Sequence, residues 1–295
     1  MAQQVVLVTG ASTGFGRLTS EALARKGHRV FATMRGVDGK NKEHADALRQ
    51  LATNEGLPIE VIELDVASDS SVNNAVAGVI EQAGRLDVVV NNAGIFGMAP
   101  TEAFGVDQYA QILDVNAVGP FRLMKAALPQ MREQQQGLFV HVSSLLGRLV
   151  FPGAAAYNSS KFALEGFVET ISLETRSFGI EHTIVEPGAF ATEIFGKNVE
   201  PSDGSTAEAY SELTQTLEQI GAGLQAFFEG GSGKPTDVSD AIVAAIEAAP
   251  GSRPLRVAVG DDGDPVRALN EQAISHQAAF LAQVGLSPEG QPAGA

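Results

Sequence analysis

Two kinds of hydrophobic pattern alternate along this chain. One is the short unbroken run, as in Val5-Val6-Leu7-Val8 or Leu138-Phe139-Val140-His141-Val142. The other is apolar residues three or four apart, as in Leu164, Phe167 and Ile171. Short apolar runs bounded by glycine, asparagine or proline predict strands covered on both faces. The wider spacing predicts helices with a single apolar face. Strands are expected at 5–8, 29–34, 59–64, 86–90, 138–142, 180–186 and 254–259. Helices are expected from Gly16 to Gly27, then at 43–51, 69–83, 109–131, 157–178, 237–248 and 265–284, with a weaker amphipathic stretch at 210–228 and a polar kink at Asn116, a mediocre helix former, within 109–131. The Ala67-Ser68-Asp69 stretch is expected to cap the 69–83 helix, and Thr236 or Asp237 the 237–248 helix. Strands alternating with helices predict an α/β fold: a doubly wound parallel seven-stranded sheet with helices on both faces, in a single domain spanning 1–264. Residues 189–235, rich in Gly, Ser, Thr and Glu, interrupt the core pattern where lids commonly occur. Residues 265–295 add a C-terminal helix and a Pro/Gly tail. No internal repeat is visible.

Composition narrows the classes. With 295 residues, 44% hydrophobic and 19% charged, the chain can bury a sizeable core. A net charge of −15 argues against nucleic acid or an acidic membrane as partner, while leaving room for a small local phosphate site. The absence of cysteine excludes disulfides, thiolate metal sites and a cysteine nucleophile. No signal-peptide pattern precedes the first strand and no apolar run is long enough to span a bilayer, so a soluble cytoplasmic protein is expected. The five histidines lack metal-ligand spacing. Gly260-Asp261-Asp262-Gly263-Asp264 lacks the glutamate of a calcium loop and reads as a solvated turn.

The first strand runs into Thr9-Gly10-Ala11-Ser12-Thr13-Gly14-Phe15-Gly16, and a helix follows. Glycines at such a turn allow positive φ and close approach of backbone to a ligand. The helix N-terminus then directs free N–H groups at a phosphate, so a dinucleotide site is expected. At the end of strand two an acidic residue would bind the ribose hydroxyls of NAD and an arginine the 2′-phosphate of NADP. The sequence there is Met34-Arg35, without an acid, which favours NADP(H). The competing reading is an arginine solvated in the loop beside Lys40 and Lys42.

Further along, Tyr157-Asn158-Ser159-Ser160-Lys161 places a phenol and an ammonium on one helix face. A phenol near pKa 10 is a poor acid–base group at neutrality, and a nearby cation lowers that value. Alone, the pair is also a common helix-surface arrangement. Strand five delivers Ser143-Ser144 at its C-terminal end, where ligands of doubly wound sheets bind, and no G-x-S-x-G elbow surrounds either serine. Asn91-Asn92-Ala93-Gly94 closes strand four, and its asparagines can bridge neighbouring loops. Leu145, Leu146, Leu149, Val150 and Phe151 form either a substrate wall or core, and Phe96 either lines a pocket or packs under a loop. Asp65 reads as a turn or cap carboxylate, and Pro187-Gly188 as a turn.

The T-G-x-x-x-G-x-G loop, N-N-A-G, the Ser144 position, Y-x-x-x-K and P-G-x-x-x-T occur in this order over residues 5 to 260, and the chain resembles the short-chain dehydrogenase/reductase family. The resemblance implies a Rossmann-type sheet and an oxidoreductase that moves hydride between NADP(H) and a carbonyl or alcohol carbon. It implies Asn116, Ser144, Tyr157 and Lys161 as the catalytic set: Tyr157 as acid–base, Ser144 on the substrate oxygen, Lys161 lowering the Tyr157 pKa and holding ribose, Asn116 anchoring a relay water. Gly10, Ser12, Thr13, Gly14, Phe15, Gly16, Arg35, Asp65, Val66, Asn92, Ala93, Gly94, Pro187, Gly188, Phe190 and Thr192 become cofactor contacts, together with Tyr157 and Lys161. Ser144, Leu146, Phe151, Tyr157 and Phe96 become substrate contacts. Leu146, Phe151, Phe190, Phe195 and Phe227 suggest an apolar or bulky substrate. Family members often pair through the helices holding Asn116 and Tyr157, so a homodimer or homotetramer is expected. An idle NADP(H)-binding sensor or scaffold is the alternative in a different class.

Overall fold

The computed structural model describes residues 2–194, 198–229 and 233–288. Phe195 and the Pro/Gly tail after residue 288 lie outside them. The strands are β1 Val5–Val8, β2 Arg29–Met34, β3 Ile59–Glu63, β4 Val88–Asn91, β5 Gly137–Val142, β6 Ile180–Pro187 and β7 Arg256–Val259. They form one parallel sheet in the order β3-β2-β1-β4-β5-β6-β7. The helices are α1 Gly14–Arg25, α2 Lys42–Glu55, α3 Asp69–Ala83, α4 Val106–Leu113, α5 Gly119–Gln134, α6 Ala155–Thr175, α7 Gly204–Ala209, α8 Ser211–Glu229, α9 Pro235–Glu247 and α10 Asp264–Gln283.

Alternation along the strands builds the two layers, because successive side chains leave opposite faces. Val6 and Val8 of β1 join Leu23 of α1, Leu48 of α2 and Ile242 of α9 on one face. Val5 and Leu7 join Val76 of α3, Leu123 of α5 and Ala156 of α6 on the other. Both faces are covered, which is why the strands read as unbroken apolar runs.

The order reverses between β1 and β4. Connections leave these neighbours in opposite directions, and a crevice opens beyond their carboxyl ends. The glycine loop caps β1 at that crevice, and Asn91-Asn92-Ala93-Gly94 caps β4.

Three expectations change. The single helix expected at 109–131 is two helices joined by a π-turn, Asp114–Val118. Pro120 near the start of α5 has no N–H for a regular helical bond, and Asn116 is drawn inward to Ile95. Neither cause disturbs the apolar period. Helix α9 starts at Pro235, so Asp237 is not its cap but a third-position carboxylate accepting from the Lys234 N–H at 3.0 Å. The Gly260–Asp264 turn is not merely solvated, because Asp262 accepts from Ala189 N–H at 3.2 Å. By contrast, Ser68 caps α3 as expected, accepting from Ser71 N–H.

Candidate active site

A cavity of about 620 Å³ lies along the carboxyl ends of the strands. Its floor begins at β1. Gly10 has φ +66°, and a Cβ there would lie 2.9 Å from the Ala93 Cα, so any side chain would close the gap between the two strand ends. Ser12, Thr13, Gly14 and Phe15 line the cavity at the N-terminus of α1, whose first turn carries no acidic residue. Gly16 does not line it. A Cβ at Gly16 would lie 2.4 Å from Asn92 Nδ2 and 2.5 Å from the Gly10 oxygen, so this glycine lets α1 sit close beneath the loop.

Asn92 stitches the floor together. Its Nδ2 donates to the oxygens of Thr9 at 2.8 Å and Gly10 at 3.2 Å. The N–H groups of Asn92 and Ala93 both donate to Thr9 Oγ1 at 3.0 Å. Asn91 instead reaches sideways to His141, at 3.3 Å.

At one end of the cavity stand Met34, Arg35, Lys40, Asn41, Asp65 and Val66. The Glu63 carboxylate, at the end of β3, accepts from Gly36 N–H at 2.8 Å and Val37 N–H at 2.9 Å, which ties the loop that carries Arg35. Asn41 donates to the Arg35 oxygen at 2.6 Å. Lys40 therefore shares a wall with Arg35. The sequence marked it only as a solvated neighbour, because nothing in a linear reading folds the loop back. Asp65 accepts from Ala67 N–H at 3.0 Å, the turn role its position suggested.

The middle of the cavity collects Ser144, Tyr157 and Lys161. Strand β5 ends at Val142, and Ser144 follows in extended conformation, its Oγ accepting from Leu146 N–H at 3.1 Å. Helix α6 lays Tyr157 and Lys161 against that strand end. Lys161 Nζ donates to the Val142 oxygen at 2.9 Å and lies 5.6 Å from the centre of the Tyr157 ring. Burial pushes the Tyr157 phenol up to about 12, against the lowering effect of its hydrogen bond with Ser144. Burial likewise pulls the Lys161 ammonium down to about 8, opposed by the charge of Glu165. The net shift of the phenol is thus upward, opposite to the effect expected from the lysine, because desolvating an anion outweighs the stabilising contacts present. Phe96 packs edge-on against Tyr157, with ring centres 4.7 Å apart.

Asn116 is buried behind this group and is not part of the cavity wall. Its Oδ1 accepts from Ile95 N–H at 2.9 Å, and its Nδ2 donates to the Ile95 oxygen and to Ser160 Oγ.

The remaining wall is apolar. Met98, Leu145, Leu146, Leu149, Phe151 and Ile194 line it, joined by Leu224 from α8. Val150 does not, being 81% exposed. Phe227 packs edge-on against Phe228 and does not line this cavity. One turn away on α8, Leu224 takes the place expected of it. Asn158 holds the loop after Ser144, donating to the oxygens of Leu146 at 2.9 Å and Leu149 at 2.8 Å. Inside the Y-x-x-x-K run it was legible only as a spacer. Pro187, Gly188, Phe190 and Thr192 close the cavity beside the glycine loop, and Phe190 meets Phe15 edge-on at 5.8 Å.

A parallel sheet reversing at β1 and β4, with a glycine loop and a Ser-Tyr-Lys cluster in the crevice, defines a dinucleotide-dependent oxidoreductase architecture. Residues 4–203 match the family model for short chain dehydrogenase, and the chain belongs to the short-chain dehydrogenase/reductase family. Retinol dehydrogenase 8 of Bos taurus is 35% identical over 276 residues, covering 91% of this chain and 85% of its own. A short-chain dehydrogenase from Streptomyces avermitilis superposes with a TM-score of 0.75 at 32% identity, covering 96% of this chain and 97% of its own. A metagenomic short-chain oxidoreductase in complex with NADP superposes with a TM-score of 0.68 at 25% identity, covering 87% and 96%. Among the described residues no helix is long and apolar enough to cross a membrane, and no cluster of His, Asp and Glu suits a metal ion.

Proposed function

We propose that the protein interconverts an apolar or bulky ketone or aldehyde and the corresponding alcohol, using NADP(H). The observation that carries this reading is the convergence of the Ser144 hydroxyl, the Tyr157 phenol and the Lys161 ammonium on a cavity with the glycine loop at its floor and an apolar opposite wall. The cradle fits a dinucleotide: a Cβ at Gly10 would fill it, and the α1 terminus facing it holds no competing carboxylate. Arg35 and Lys40 supply two cations for a 2′-phosphate, while Glu63 is engaged by the amides of Gly36 and Val37. The NADP carried by the metagenomic structure supports the same choice, and the name of the bovine relative supports a lipophilic substrate.

The cofactor, when bound, supplies or accepts the hydride. The chain manages the proton and the charge. A phenol at about 12 stays protonated at neutral pH, so Tyr157 stands ready to donate to a carbonyl oxygen and to take the proton back in oxidation. Ser144 hydrogen-bonds the same oxygen as charge develops on it. Lys161, at about 8, is mainly cationic at pH 7, and it balances the phenolate left behind and holds the ribose. The side-chain amide of Asn116 is engaged by Ile95 and Ser160, so a relay water would be held by the backbone opened at the π-turn. Val118 and Phe121, at the π-turn and on α5, and Phe162 on α6 are partly exposed, which supports pairing through these helices.

The test is NADPH consumption against a panel of ketones and aldehydes, with Tyr157→Phe as the control. The variant should lose roughly 10³-fold in turnover, within the usual range for a general acid, while NADPH fluorescence on binding is retained. Binding without turnover of any compound by the wild-type protein would overturn the enzyme reading in favour of a sensor. Light scattering should give a dimer or tetramer.

A further inference from the structure

Beneath the cavity lies a buried charge cluster that the chemistry above does not use. Glu165 of α6, one turn beyond Lys161, is 2% exposed. Its carboxylate accepts from Ser143 Oγ at 2.5 Å and from Arg256 of β7 at 2.6 Å. Arg256 also pairs with Glu186 of β6 at 2.6 Å and Glu169 of α6 at 2.8 Å. Glu186 in turn accepts from Asn270 of α10 at 2.6 Å. A notch is cut for this carboxylate, since a Cβ at Gly147 would lie 2.1 Å from Glu165 Oε1.

The placement matters because of what flanks it. Val142, Ser143 and Ser144 are consecutive. Helix α6 grips the first through Lys161 and the second through Glu165, and the third is the serine of the candidate active site. We propose that Glu165 is a positioning residue for the reaction: clamped by Ser143 and Arg256, it fixes the strand end that presents Ser144 and supplies the buried negative charge beside the Lys161 ammonium. Through Arg256, the last strand of the sheet becomes part of the foundation of the active centre. This rests on the enzyme reading given above.

The charged and titratable groups around the pair are few. Glu165 is faced by Lys161 and Glu169 of its own helix, Arg256 of β7 and Glu186 of β6, and Lys161 is faced by Tyr157 and Glu165. Burial and the neighbouring Glu165 charge raise Glu186 to about 7, so this position already sheds part of the surplus negative charge near neutrality. Glu165→Gln therefore leaves Arg256 with Glu186 and Glu169, keeps an acceptor for Ser143 and fills the Gly147 notch with an isostere.

Two variants separate charge from tie. Glu165→Gln removes the charge and keeps the tie, whereas Ser143→Ala removes the tie and keeps the charge. The titration of Lys161, followed by its 13Cε resonance in the full-length protein, should fall by roughly one pH unit in Glu165→Gln and stay in place in Ser143→Ala. With NADPH and a carbonyl turned over by the wild type, kcat should fall roughly tenfold in both, with KM for NADPH nearly constant, as for a residue that acts on the reacting geometry. An unmoved Lys161 titration in folded Glu165→Gln overturns the counter-charge, and wild-type kcat in Ser143→Ala overturns the tie. If the wild type reduces no carbonyl, the enzyme reading fails, and the resonance titration still decides the role of Glu165.

Discussion

On one side of the cavity the ends of β1, β4 and β5 are cross-linked by named polar contacts: Asn92 to Thr9 and Gly10, Lys161 to Val142, Asn158 to the loop after Ser144. On the other side α8 leans in with apolar groups. Leu217 rests close to Gly153, and Leu224 faces the cavity. Hydrogen bonds are directional and fix atoms to within tenths of an ångström, whereas apolar contact tolerates exchange of one side chain for another of similar volume. The strand-end wall is thus suited to holding one cofactor and one proton donor in register. The α8 wall is suited to changing substrate by substitution. Under the proposed function, the chemistry would depend mainly on the strand-end wall, and substrate fit on the α8 wall together with the apolar loop after Ser144.

The contrast can be broken at several points. The largest effect is expected at Asn92→Ala, which leaves the Thr9 and Gly10 oxygens without their side-chain donor. Urea unfolding should show a loss of about 1–3 kcal/mol, and NADPH affinity should weaken with it. An unchanged affinity would mean that the loop holds its shape without the asparagine.

Acid should loosen the sheet side next. His141 and His182 are buried, their ring nitrogens 3.3 Å apart, and burial holds His141 well below its ordinary value and His182 down to about 3. Below about pH 6.5 the unfolded chain binds these two protons and the folded chain does not, so stability falls as pH falls. Glu186, raised to about 7, works the other way between that value and the ordinary 4.5, binding a proton when folded. His28 is lowered by burial as well, so the histidine protons outnumber the one on Glu186 and leave a net loss on the order of 1 kcal/mol per pH unit from 6.5 to 4.5. Urea midpoints at pH 7 and pH 5.5 check the sign, and a higher midpoint at pH 5.5 would contradict it.

Arg35→Ala should lower the preference for NADPH over NADH by roughly tenfold, read from kcat/KM with each cofactor. A residual preference that disappears only when Lys40→Ala is added would divide the phosphate contact between the two cations. Leu224→Ala should have the smallest effect on the scaffold, with stability changed by less than about 1 kcal/mol, and should raise KM for bulky substrates a few-fold, leaving small ones unaffected. A uniform loss across substrate sizes would mean that α8 positions the cofactor as well.

The sequence reveals the two walls unequally, for physical reasons. Strands such as Val5–Val8 stand out because burial on both faces removes all polar positions, and the glycine loop stands out because its chemistry is local. The π-turn at Asp114–Val118 leaves no mark on the apolar period. Asp262, Arg256 and Leu224 are invisible for another reason: their partners lie far along the chain, as in the pairing of Arg256 with Glu165, 91 residues away. A short motif records neighbours in sequence. A charge cluster assembled from β6, β7 and α6 records neighbours in space.

That cluster also has an order in time. Synthesis proceeds from the N-terminus, so Glu165 and Glu186 leave the ribosome well before Arg256, the cation that joins them. Until it arrives, the sheet from β1 to β6 would have to bury carboxylates with no guanidinium between them, a costly arrangement in a low-dielectric interior. A chain could thus hold its complete glycine loop and its Tyr157-Lys161 pair while the carboxylates behind them still lack their cation. A chain cut before the last strand would therefore be expected to fold less stably than the full chain, because the cation shared by these carboxylates is missing.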